Sequence, residues 1–206
     1  PAKGALRQGV IVDLHERLAA ARGARGHDIR DETVAQLQAR FEVDTAQARR
    51  VREVALALHD AVATEDDAQA RRELAWACDL HEIGMAISHH DYHRHSAYLL
   101  AHVDAPGFSQ SQLGQLVLSQ RGGLRKVEAA LQDAAHAWQV LCLRLAVIRC
   151  HAREPLGAPE MIVTRRNGRI ALLAWRPARL APNPRTLHLL REEAVAWERS
   201  GVLQLD

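Results

Sequence analysis

From residue 31 onwards, apolar positions recur along the chain at helical intervals. Val34, Leu37 and Phe41 stand at i, i+3 and i+7 behind Asp31, which is placed to cap a helix. Asp44 followed by Gln47 has the spacing of a capping box, and Val51, Val54, Ala55, Leu58 and Val62 then form an apolar stripe of helical period. After the charged stretch TEDDAQARRE, Leu74, Ala77, Cys78 and His81 define one face of a third helix, with Gly84 as its expected stop. Beyond an irregular histidine-rich turn, 93–102 and 109–120 read as two more helices, the second ending at Gly122-Gly123. A longer helix is expected over 128–153; Leu141, Leu145 and Ile148 keep its period and Pro155 forbids its continuation. The pattern predicts a bundle of six helices.

The pattern then changes. MIVTRRNGRIALLAW is two apolar, β-rich runs around Asn167-Gly168, a strong hairpin signal. A Pro-rich connector, RPARLAPNP, leads to a helix over 185–199, and Gly201 introduces VLQL, a candidate third strand. The expected architecture is mainly α, with a helical domain at 26–155 and a small α/β domain (hairpin, helix, strand) at 156–206. Residues 1–25 are a leader that ends in a Gly- and Arg-rich linker.

Composition adds a few limits. With 48% hydrophobic but only 4% aromatic residues, the core must be built from Leu, Val, Ile and Ala. No apolar run approaches the ~18 residues of a membrane span, and the N-terminal stretch lacks the apolar centre of a signal peptide. The expectation is a soluble, cytoplasmic protein that engages neither membrane nor nucleic acid. Cys78, Cys142 and Cys150 form no Cys-x-x-Cys pair and fall in apolar helical stretches, as reduced core cysteines would. The formal charge is +2, and of the 27 basic residues only Lys3 and Lys126 are lysine. Arginine suits bidentate phosphate contacts, although a GC-rich genome would also favour it.

Candidate chemistry concentrates in LHEIGMAISHHDYHRHSAYLL, residues 80–100. The segment carries His81, His89, His90, His93 and His95, five of the chain's 12 histidines, with Glu82, Asp91 and Arg94. Such clusters can bind metal, act in acid–base catalysis or hold oxyanions. Arg121, Arg125 and Lys126 flank the Gly122-Gly123 loop, where backbone can approach an anion.

Leu-His-Glu-Ile-Gly resembles the Leu-His-Asp-Ile-Gly core of HD-superfamily phosphohydrolases, whose His and Asp residues bind a divalent metal that activates water. His81 matches the His of the central pair, and Glu82 stands at the Asp. Gln47, in Gln-Ala-Arg-Arg-Val, takes the place of an earlier His, and Val147, in Arg-Leu-Ala-Val, takes that of a later Asp. The resemblance therefore implies a degenerate metal site at His81 and Glu82.

A narrower family fits better. His-Glu-Ile-Gly, then Ser88-His-His-Asp-Tyr-His-Arg-His-Ser-Ala-Tyr-Leu-Leu100 and Pro106-Gly-Phe-Ser109, resembles the C-terminal, HD-like helical region of exopolyphosphatase/guanosine pentaphosphate phosphohydrolases (the Ppx/GppA family). Asp44–Val51 continues the likeness. Leu6-Arg7-Gln8-Gly9-Val10 resembles the stretch closing that family's actin-like domain, which would make 1–25 its remnant.

The resemblance implies a fold, an HD-like helical bundle with a small α/β appendage. It also implies a role, a polyphosphate-binding and dimerisation module lacking the actin-like catalytic domains. It implies Mg2+ dependence in the parent family, with no catalytic residue and no cofactor assigned to this region. Inorganic polyphosphate or guanosine pentaphosphate is the expected partner, together with a second copy of the chain. The candidate polyphosphate contacts are His90, His93, Arg94, His95, Arg121, Arg125 and Lys126. Two other readings remain open: an autonomous HD-type metal-dependent phosphohydrolase and a purely structural dimerisation scaffold.

Overall fold

The computed structural model describes residues 28–64, 68–108, 117, 119–121, 123–124 and 130–206. The leader 1–25, most of the helix expected over 109–120, and Arg125 and Lys126 lie outside the described residues. Among those described, six α-helices form: α1 (Ile29–Arg40), α2 (Thr45–Val62), α3 (Ala68–Leu80), α4 (Tyr92–His102), α5 (Ala134–Arg149) and α6 (Pro184–Ser200). Short 3-10 turns occupy Ile83–Ala86 and Ala130–Gln132, and the strands are β1 (Glu160–Arg166), β2 (Ile170–Arg176) and β3 (Gln204–Leu205). The protein is mainly α with a small C-terminal α/β appendage.

Helix starts follow capping chemistry, with corrections to the expected boundaries. Asp28, not Asp31, caps α1: its carboxylate accepts from the Arg30 amide at 3.0 Å and from the Arg30 guanidinium at 2.7 Å. That guanidinium holds the Asp28 carboxyl below its usual pKa. Asp31 instead accepts from the Trp76 indole at 2.7 Å and so ties α1 to α3. Asp44 caps α2, accepting from the Gln47 amide at 2.9 Å. The return half of that capping box is missing because the Gln47 side chain is buried elsewhere. Helix α5 begins at Ala134, later than expected, because Asp133 accepts from the Ala135 amide. It ends at Arg149, well before Pro155.

On α2, Val51, Ala55, Leu58 and Val62 of the predicted stripe are buried together with Ala48, while Val54 is half-buried. Helices α3 and α5 are different. Every residue from Leu74 to Leu80 and from Ala137 to Ala146 is buried, so these two stretches are enclosed on all sides. The three cysteines are free and buried, and burial pushes the Cys150 thiol up to about 11.

In the appendage, β1 and β2 pair antiparallel with Arg166 opposite Ile170, leaving a three-residue turn, Asn167-Gly168-Arg169. Asn167 and Gly168 take positive φ (49° and 74°), the conformation that favours these two residue types. β3 adds in parallel to β2, with Leu205 opposite Ala171. Met161, Val163, Ala171, Trp197 and Leu205 join the buried cluster that begins at Val34, so one continuous core runs from α1 to β3. No helix among the described residues is long and apolar enough to cross a membrane.

Candidate functional site

A cleft of about 1350 Å³ opens where the α1–α2 corner, the end of α3, the C-terminus of α5 and one face of α6 meet. Gln47, His81, Glu82 and Val147, the four positions marked by the phosphohydrolase resemblance, all line it. They sit on three separate helical segments, so the fold brings together what the sequence keeps far apart.

His81 follows the last residue of α3 and is 1% exposed. Its backbone carbonyl accepts from the Ser96 hydroxyl at 2.9 Å and from the Gln120 amide at 2.7 Å, while Ser96 Oγ accepts from the Gly84 amide at 2.9 Å. Gly84 is therefore not a helix stop. It lies inside the 3-10 turn, where a Cβ would come within 2.3 Å of the Tyr92 and Ser96 backbones, so α4 rests directly on it. The His81 ring places Nδ1 2.6 Å from the Cys78 carbonyl, which fixes Nδ1 as the donor. Burial lowers the imidazole pKa despite Glu82 beside it, so the ring is neutral and Nε2 is a lone pair. That Nε2 is buried without a hydrogen-bond partner and lies 3.8 Å from Glu82 Oε1.

Glu82 is also buried, and Arg153 neutralises it. Arg153 Nη2 donates to both Glu82 oxygens, at 2.8 and 2.9 Å, and Nη1 donates to Asp44 Oδ2 at 2.7 Å. Arg153 has a left-handed backbone, φ 57°, just beyond the end of α5. Its amide donates to the Cys150 carbonyl at 3.0 Å, and the same carbonyl accepts from Gln47 Nε2 at 2.9 Å. Gln47 Oε1 accepts from Arg50. The Gln47 side chain thus buttresses the turn that carries Arg153 rather than facing Glu82.

These residues do not fit a divalent ion. Gln47 is engaged through both polar atoms, Val147 has none, and Glu82 is chelated by a guanidinium. Among the described residues no three His, Cys, Asp or Glu side chains are grouped to hold a metal.

The histidine-rich turn lies to one side. His90 is exposed, His93 is buried with its ring edge-on to Tyr92 at 6.2 Å, Arg94 pairs with Asp91 at 3.0 Å, and His95 is half-buried. None of these four lines the cleft, whereas His89, Tyr92 and Arg121 do. Arg121 sits over the Tyr92 ring at 6.0 Å. Arg40 and Arg185 also line the cleft, and sequence reasoning missed both, as it missed Arg153. No local motif marks them, since each acquires its place only when α1, α5 and α6 pack. Arg40, Arg121 and Arg185 are exposed, and none has an ion-pair partner among the described residues.

The fold and cleft define a class: a mainly helical domain with a small α/β appendage and a cleft in which Arg153 pairs with Glu82 and Asp44. A family model described as "Ppx/GppA phosphatase, domain III" matches residues 29–194. The chain belongs to the Ppx/GppA phosphatase family. A guanosine-5'-triphosphate,3'-diphosphate pyrophosphatase of Photobacterium profundum is 33% identical over 210 residues, covering 97% of this chain and 40% of the relative. A protein of the same name from Vibrio cholerae (strain O395) is 33% identical over 215 residues, covering 97% of this chain and 41% of its own length. Another, from Pseudoalteromonas translucida, is 34% identical over 172 residues, covering 79% of this chain and 33% of its own. The chain spans about two fifths of the length of the first of these curated relatives.

Proposed function

We propose that this region is a phosphate-binding module of a Ppx/GppA-type phosphatase, without a catalytic centre of its own. The observation that carries the reading is the division among the cleft's arginines. Arg144 and Arg153 are committed to carboxylates, whereas Arg40, Arg121 and Arg185 are exposed at the cleft and unpaired with acids among the described residues. Guanidinium forks of this kind match phosphate oxygens in two-point contacts. Exposed His89 lines the same cleft, as do Glu42 and Glu192. Inorganic polyphosphate or guanosine pentaphosphate is the ligand class. The names of the relatives, which act on a phosphorylated guanosine, support it. His90, which is exposed, together with Arg125 and Lys126, is proposed as a further contact to a longer chain.

The competing reading, an autonomous metal phosphohydrolase, would rest on His81 and Glu82 alone, and Arg153 already occupies Glu82. Self-association is the second half of the proposed role. Ile87, just after the 3-10 turn, and Tyr98, on α4, are exposed and offer apolar surface for it.

End-labelled long-chain polyphosphate, titrated with the protein at two salt concentrations and read by anisotropy, tests the binding. Affinity is expected to fall steeply with salt, and Arg40→Ala/Arg121→Ala/Arg185→Ala should bind at least about tenfold more weakly, a loss of ~1.4 kcal/mol or more. A native chain that binds nothing at low salt would refute the reading.

A further inference from the structure

We propose that Arg153 is the resident cation of this cleft, its guanidinium standing where a divalent ion would have to sit and making the site one that takes no metal. The proposal goes beyond the phosphate-binding reading and does not depend on it.

Two carboxylates hold the guanidinium, and a third acceptor lies beside one of them. Glu82 contributes a buried carboxylate, Asp44 a second one, and His81 Nε2 a buried lone pair without a hydrogen-bond partner, 3.8 Å from Glu82. Two carboxylates and a neutral imidazole are a donor set for first-row divalent ions. A buried carboxylate also demands a counter-charge, and here Arg153 supplies it. One nitrogen bridges both Glu82 oxygens and the other reaches Asp44, so the acceptors are spread around a flat, permanently charged group. Among the described residues these acceptors are not grouped as a chelate.

The supporting structure is specific to this arrangement. Arg153 holds φ 57°, a conformation that residues other than glycine, asparagine and aspartate seldom adopt. The turn is pinned at the Cys150 carbonyl, which accepts from both the Arg153 amide and Gln47 Nε2. Gln47 stands at a position where the phosphohydrolase resemblance calls for a ligand. Its side chain instead braces the turn that carries Arg153.

The experiment compares thermal unfolding of four versions of the whole chain with Mn2+ and with EDTA: native, Arg153→Asn, Glu82→Gln and Arg153→Asn/Glu82→Gln. Asparagine accepts the left-handed backbone, so Arg153→Asn removes the guanidinium without adding strain. The readout is the part of any Mn2+-induced rise in midpoint that Glu82→Gln abolishes. The native chain is expected to show none. Arg153→Asn should melt lower and regain about 5 °C or more in saturating Mn2+, and the double variant should lose that gain. A Glu82-dependent rise in the native chain overturns the proposal, as does Arg153→Asn indifferent to Mn2+. If Arg153→Asn does not fold, stoichiometric metal in the native chain, lost in Glu82→Gln, would overturn it equally, and native chain free of such metal upholds it.

Discussion

Arg144 of α5 and Glu193 of α6 meet as a two-point ion pair in the interior, Nε to Oε1 at 2.5 Å and Nη2 to Oε2 at 2.7 Å. Both are buried. Arg144 Nη1 also donates to the Ser119 carbonyl at 3.0 Å, and the Trp197 indole donates to Glu193 Oε1 at 2.6 Å. The pair fastens the appendage's helix to the central helix of the bundle and thereby sets one wall of the cleft. Arg144→Met should destabilise the chain by about 3–5 kcal/mol, because it leaves a buried carboxylate without its counter-charge. Arg144→Met/Glu193→Leu should recover most of that loss, and urea denaturation of the two variants measures both.

Gly84→Ala places a methyl group against backbone atoms that cannot swing aside, 2.3 Å from Ser96 N and from Tyr92 O. Helix α4 must then lift off the 3-10 turn and strain the hydrogen bonds from Ser96 and Gln120 to the His81 carbonyl. A cost of about 1–3 kcal/mol is expected, read by the same denaturation assay. A substitution that left stability unchanged would mean that α4 shifts freely.

Asp79, near the end of α3, gives a pH signature. Burial raises its pKa from 3.8 to about 6, against the opposing pull of the Arg52 guanidinium 2.7 Å away. Below about pH 4 the carboxyl is protonated whether the chain is folded or not. Between about pH 4 and 6 the folded chain keeps a proton that the unfolded chain releases, so stability falls as pH rises through this window and levels off above it. The total is ~3 kcal/mol, from a shift of about two units. Asp79→Asn cannot titrate. The stability of the native chain relative to this variant should therefore decline from pH 4 to 6, and a flat difference across that range would contradict the assignment.

Much of the fold was legible from periodicity. The α2 stripe of Val51, Ala55, Leu58 and Val62, the hairpin at Asn167-Gly168 and the terminal strand are all where spacing put them. Boundaries were less so, because capping depends on which of two nearby carboxylates finds a partner. Asp28 won over Asp31 once Arg30 folded back on it and Trp76 claimed the other. In α3, a one-faced pattern gave way to burial on all sides, since α2 and α5 flank it and small residues such as Ala75 and Ala77 fit either face. At the site, His81 and Glu82 were readable because they are adjacent in sequence. Arg153 was not, since its partners Asp44 and Glu82 are far away in the chain and reach it only through tertiary packing.

The parallel pairing of β3 with β2 has a kinetic consequence. The β1–β2 hairpin joins neighbouring segments and can close in microseconds. Leu205, by contrast, reaches its place opposite Ala171 only after the whole of α6 has been laid down between them. Contacts of such sequence separation form late, since the intervening chain must be ordered first. The expected order of assembly of the appendage is hairpin first, then α6 with Trp197, and β3 last.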